Sequence, residues 1–297
     1  MKKITAICLG MLISWSSMAQ ELITIKTPYG PGHSGTPALL KIVDQANSDQ
    51  NIYRFVVEFK PGGNQVIAVK SLDANSLAII APAYIENIDS GTLNEKDYIP
   101  VYAFGDACWA VITSKQLEGS KEITVGGVGY GNAAHLTALA LGDKYKFNVR
   151  YIVFRSNNEA LINMTGGNGV ELVIDKYEGY ESLRTKNPKM RMIAASCPTR
   201  LPQEPKIKTL KELGIDAPFV FNIVIANTEM PAARRITLSK ILNDATATVG
   251  AAEIFKLSAM RPPQFDGIKA EEFYNNSVKL VRILRSRYKA QIEEAKK

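Results

Sequence analysis

Three times within its first 141 residues the chain passes from a short apolar, β-branched run through a turn rich in glycine or proline into a helix-forming run. The densest case lies at 123–141. Residues 123–125 close a buried strand, Gly126, Gly127, Gly129 and Gly131 follow within six residues, and Asn132 stands as an N-cap before a helix opening at Ala133. Strand, glycine turn and helix together aim free backbone N–H groups and the positive helix end at an anion. Glycine suits such a turn because it tolerates positive φ and lets a ligand approach the backbone.

Several readings of this stretch compete. Gly129, Gly131 and Ala134 fit the dinucleotide pattern G-x-G-x-x-G/A, which also requires an acid about 20 residues on. Residues 148–155 read NVRYIVFR and hold no acid. A P-loop is excluded because no Gly-Lys-Ser/Thr follows the glycines. The remaining alternatives are an anion-binding turn and a tight strand–helix turn that binds nothing.

Residues 1–19 read as a cleaved secretory signal: Lys2 and Lys3, an apolar segment over 4–15, and the small-x-small site at Ser17 and Ala19. The segment is too short to span a bilayer, and the mature chain is expected to be soluble and not membrane-inserted. The formal charge is +7, or +5 without the leader lysines. The basic residues are scattered rather than gathered with aromatics, so no nucleic-acid partner is expected. Cys108 and Cys197 survive cleavage; export permits a disulfide, and the alternative is two small buried hydrophobes.

The first strand, 22–26, ends in a loop holding Tyr29, Gly30, His33, Ser34 and Thr36, and Pro37 at a first helical position makes Thr36 the expected N-cap. The second strand, 53–59, leads to Gly62, Gly63 and Asn64, and the third, 76–81, stops at Pro82. Residues 84–97 read as a connection of helical and turn character. A long strand-like run, 101–113, is the expected crossing into a second domain, and 219–226 the return. Between them come strands at 150–154, 170–174 and 191–195, the first two leading to Phe154 with Arg155 and to Asp175. A helical face from Leu238 to Val249 and a C-terminal helix from about Ala270 follow.

Alternating strands and helices indicate an α/β chain with mostly parallel sheets, and ligands bind beyond the carboxyl ends of such strands. The expected layout is one domain of 20–110 with 222–297 and a second of 111–221, joined by two crossing strands and separated by a cleft. That is the arrangement of a hinged receptor for a small anion.

Pro28-Tyr-Gly-Pro-Gly32, Pro61-Gly-Gly-Asn64, the stretch Gly126–Leu136, Val153-Phe-Arg155 and the segment 198–214 occur in one order and spacing. On these residues the chain resembles the substrate-binding receptors of tripartite tricarboxylate transporters, the Bug-type receptors, over about residues 22–285. The resemblance implies a type II periplasmic binding protein fold and a small carboxylate as ligand. It also implies delivery to a membrane partner of a large and a small subunit. One ligand carboxylate would sit at Gly131, Asn132 and Ala133, with the loops holding Tyr29–Thr36 and Pro61–Asn64 closing the other side. The chain departs from the family pattern where His33 replaces a glycine, Thr36 an aspartate, and Gly127 and Asn132 stand at serine positions. Loss of the aspartate counts against an amino-acid ligand, while Asn132 can still donate a side-chain N–H.

Among single residues, His33 is a candidate contact, and His135, one turn into a helix, a structural or capping residue. Arg155 could pair bidentately with a carboxylate, Asp175 could bind a ligand hydroxyl or cap a turn, and Tyr29 and Phe154 could stack on an aromatic acid or fill core. Two histidines, no metal-spaced cluster and no nucleophile elbow give an enzyme little to build on. No cofactor or metal is expected, and the receptor is expected to act as a monomer. The competing functions are a sensing module for a signalling receptor and an exported dinucleotide-dependent enzyme.

Overall fold

The computed structural model describes residues 20–33, 35–62, 65–197, 199–218, 220–258, 260–261 and 267–297. The signal segment, Ser34, Gly63, Asn64 and Pro198 therefore lie outside the described residues.

The first lobe begins with β1 (Glu21–Thr27), α1 (Thr36–Asp49), β2 (Tyr53–Phe59), α2 (Val66–Lys70), β3 (Ser76–Ile80), α3 (Ala83–Asp89) and β4 (Tyr98–Ala107). The second lobe holds β5 (Trp109–Thr113), β6 (Glu122–Gly127), α4 (Ala133–Tyr145), β7 (Asn148–Val153), α5 (Asn157–Thr165), β8 (Leu172–Lys176), α6 (Tyr177–Arg184) and β9 (Arg191–Ala195). The chain then returns with β10 (Val220–Asn227), α7 (Ala232–Val249), α8 (Ala251–Ser258), β11 (Met260–Arg261), α9 (Gly267–Arg287) and α10 (Lys289–Ala295).

The strands form two sheets, ordered β11-β4-β10-β3-β1-β2 and β7-β6-β8-β5-β9. β1 pairs in parallel with β2 and β3, and β6 with β7 and β8. These are the units in which a helix must carry the chain back to the same end of the sheet. The helices supply the covering faces: Ala38, Leu39, Ile42, Val43 and Ala46 of α1 are buried at helical spacing.

Four strands of each sheet run in one direction, as expected, but β5 runs against β8 and β9, and β10 against β3 and β4. The cause is the crossing. A strand entering a sheet from the cleft side runs away from the cleft, whereas the parallel strands run toward it. The run expected over 101–113 is likewise two strands in different sheets, broken at Cys108. Cys108 and Cys197 are joined by a disulfide with Cα atoms 5.0 Å apart, which ties the start of β5 to the end of β9. The 84–97 connection contains α3, and the C-terminal helix is two helices, α9 and α10.

α4 is buried on every side from Ala133 to Gly142, because it lies between its own sheet and α9. A helix with no solvated face is the mark of a core shared by layers. Here one apolar cluster runs from Ile80, Tyr84 and Ile85 of the first lobe through Val281, Leu284 and Tyr288 of α9 and its end to Leu136 and Leu141 of α4. Tyr288 donates from its hydroxyl to Asp143 Oδ2 over 2.7 Å, adding a polar tie between the lobes.

Candidate functional site

The parallel strands point their carboxyl ends at the junction between the lobes, and the loops there hold most of the expected site residues. The loop after β1 is held by side-chain contacts. Tyr29 stacks on His33 with ring centroids 3.8 Å apart and planes 8° from parallel, and its hydroxyl donates to Asn222 Oδ1 over 3.2 Å. Burial pushes the Tyr29 phenol up, so it stays a neutral donor. Thr36 is not the N-cap of α1; Gly35 holds that position, and the Thr36 hydroxyl instead donates to the carbonyl of Gly30. The bond closes the loop on itself and leaves Thr36 buried.

His33 brings the lobes together. Its Nδ1 accepts from the Gly35 N–H over 3.1 Å, and its Nε2 lies 3.3 Å from Lys176 Nζ, at the end of β8 in the other lobe. Burial, and then the Lys176 charge, lower the His33 pKa to about 4, so the ring is neutral at neutral pH. A neutral imidazole whose Nδ1 accepts carries its hydrogen on Nε2, a tautomer assigned from its partners. Two donor groups, Nε2–H and the Lys176 ammonium, then converge from opposite lobes.

The second loop shows one constraint that the sequence hid. Gln65, the N-cap of α2, has φ of +79°, unusual for a side chain with a Cβ, and its Oε1 accepts from the N–H of Ala81 over 2.9 Å. This bond fastens the loop holding Gly62, whose φ is +103°, to the end of β3 beside Pro82. Pro82 itself opens α3 with φ of −50°.

In the glycine stretch, each constrained position has a packing partner. A Cβ at Gly127 would lie 1.9 Å from the Tyr151 hydroxyl oxygen, so this glycine makes room for a tyrosine of β7. Tyr151 in turn stacks on His135, with centroids 4.0 Å apart. His135 is 1% exposed, and its Nδ1 accepts from the Gly131 N–H over 2.9 Å. His135 is thus a capping residue, as expected, and burial lowers its pKa to about 4. Asn132 is the N-cap, its Oδ1 accepting from the His135 N–H over 2.9 Å. Gly131 has φ of +70°, and a Cβ there would lie 3.5 Å from the Ile292 side chain of α10. Ala133 is the first residue of α4 and is buried.

The remaining expected residues divide. The Phe154 ring packs against the second lobe's core beneath Gly126, which occupies it independently of any ligand. Arg155 is exposed and has no ion-pair partner among the described residues. Asp175 is buried and accepts from Asn157 Nδ2 over 2.8 Å. Burial raises its pKa, against the lowering effects of the Lys176 backbone, Asn157 and the Lys176 charge. Lys176 was missed, although a lysine closing the buried run LVID is an unusual strand end.

Among solved structures the chain superposes on a TctC solute-binding protein from Polaromonas, solved with no ligand, with a TM-score of 0.74 and 18% identity over 90% of this chain and 98% of that one. An R. palustris protein with adipate matches with a TM-score of 0.68 and 15% identity, covering 90% and 96% of the two chains. MatC from Rhodopseudomonas palustris, with bound malate, gives 0.62 and 15%, covering 92% and 99%. No family model matches the sequence, and no curated protein does. The chain has the two-domain fold of the TctC-type periplasmic binding proteins.

Proposed function

We propose that this protein is a periplasmic solute-binding receptor. It captures a small organic carboxylate between its lobes and delivers it, chemically unchanged, to a tripartite tricarboxylate-type transporter with a large and a small membrane subunit. The observation that carries the reading is the convergence of His33 and Lys176 from opposite lobes. One carboxylate oxygen can accept from both, so an anion placed there favours the closed arrangement of the lobes. The whole-chain likeness to solute-binding proteins, two of them holding malate and adipate, supports it. No helix among the described residues is long and apolar enough to cross a membrane.

In this reading 20–107 with 220–297 moves as one lobe and 109–218 as the other, the boundaries expected at 110 and 222 falling inside β5 and β10. Tyr29, Gly30, His33, Thr36, Gly62 and Pro82 face the ligand from the first lobe, and Asn132, Ala133, Arg155 and Lys176 from the second. The mature protein, screened by thermal shift against mono-, di- and tricarboxylates and aromatic acids, tests it. A ligand at 100 times its Kd adds about 2.7 kcal/mol. A raised midpoint with one class of acid, lost in a Lys176→Met variant that still melts cooperatively, is expected. Equal response of the variant would remove Lys176 from the site.

A further inference from the structure

Beyond the donors, the end of β8 gathers a set of acceptors. Asn157 Nδ2 donates to Asp175 Oδ1, which fixes the amide and turns Asn157 Oδ1 away. That oxygen is buried with no partner among the described residues, and so is Glu178 Oε1 in the first turn of α6. Glu178 stands at the cleft edge of the second lobe, and Asn157 is tied to Asp175, the residue before Lys176. Asn157 opens α5 just beyond β7, and Glu178 follows Lys176 by two residues. Glu178 also lines, with Gly32, His33 and Tyr177, a groove of about 540 Å³ between the lobes.

A buried acceptor with no donor is unfavourable, and the deficit is relieved only by a group that brings a hydrogen. A plain carboxylate brings acceptors alone. Donors for the carboxylate stand close by. Trp109, the register partner of Lys176 across β5 and β8, also has a buried indole Nε1 with no partner among the described residues. The end of β8 therefore has both donors and acceptors around it.

We propose that the captured acid carries a hydrogen-bond donor, a hydroxyl or an ammonium, besides its carboxylate, and that Glu178 and Asn157 accept from it. The inference rests on the receptor reading above and narrows it to substituted acids. Lys176 and Asp175 both act electrostatically on Glu178, with opposite signs, so a hydroxyl and an ammonium both qualify as the donor.

The test uses matched series that differ at one carbon: succinate, malate and aspartate; glutarate, 2-hydroxyglutarate and glutamate; propionate, lactate and alanine. Titration calorimetry on the full mature chain reads the affinities. In the series that binds, an acid carrying a donor is expected to bind about 10- to 100-fold tighter than the unsubstituted one, as for one hydrogen bond to a charged acceptor. A tighter amino acid would support the donor and identify it as ammonium. Unsubstituted acids binding as well as the others would overturn the inference and leave the receptor reading standing. No binding by any of the nine, with an unsubstituted acid such as adipate bound, would overturn the inference alone; no binding by any acid of the wider panel would remove both. A Glu178→Leu variant should lose most of the preference; an unchanged preference would also overturn the assignment.

Discussion

Replacing Gly127 by alanine separates packing from ligand binding in the glycine stretch. The added Cβ would lie 1.9 Å from the Tyr151 oxygen and 2.6 Å from its Cζ, where ordinary contact needs about 3.5 Å. The ring must retreat by roughly 1.5 Å, into a core where it is 7% exposed. Overfilling such a site costs about 1–3 kcal/mol. The retreat also loosens the stack on His135, worth about 0.5–1.5 kcal/mol, and through His135 the cap on Gly131. We expect a loss of about 2–4 kcal/mol, or a fall in Tm of roughly 3–7 °C for a chain of this size. Gly129→Ala, two residues along the same turn, is the control: its Cβ would meet only Asn132 Nδ2 at 3.4 Å, and the change should stay within about 0.5 kcal/mol. Calorimetric melts of both variants without added ligand provide the assay. Equal midpoints would refute the claim that Tyr151 dictates the glycine.

Tyr151→Phe should leave stability unchanged or raise it by up to about 1 kcal/mol, because the hydroxyl removed is buried with no partner among the described residues; a clear loss in urea melts would reveal a partner. His33 and His135 both have folded pKa values lowered to about 4, so their contribution is present above about pH 6.5 and is lost as pH falls toward and through 4. For His135, which is 1% exposed, this is on the order of 2–3 kcal/mol, and urea midpoints equal at pH 7 and pH 4.5 would contradict it. Reducing the Cys108–Cys197 disulfide, which spans a sequence separation of 89, should lower stability by about 2–4 kcal/mol, and an unchanged melt in reductant would deny the bond a stabilising role.

The strand–turn–helix units were legible because each rests on local chemistry. Glycine at Gly131, where φ is +70°, and Asn132 as N-cap follow from backbone geometry that a short stretch encodes. What lay beyond reach depends on residues distant in the chain. Nothing near Gly127 announces that Tyr151 fills its place, and nothing near Gly131 announces Ile292. Phe154 looked free to stack on a ligand because its contacts, around Gly126 and the second lobe's core, are tertiary. Thr36 was displaced as N-cap because its hydroxyl reaches back to Gly30. β11 is two residues long and its pairing with β4 depends on the lobe being assembled, so no periodicity marks it. Lys176 was the readable omission. A cation that ends a buried strand stands where an α/β fold places its ligands.

The most direct test of a carboxylate receptor is titration calorimetry on mature protein that has been unfolded, dialysed free of bound solutes and refolded. Titrants should begin with malate and adipate, the acids in two of its structural neighbours, and extend to the substituted series. The account predicts saturable binding of one acid per chain, weakened at least tenfold by Lys176→Met. Refolded protein that melts cooperatively yet takes up no small carboxylate would contradict it.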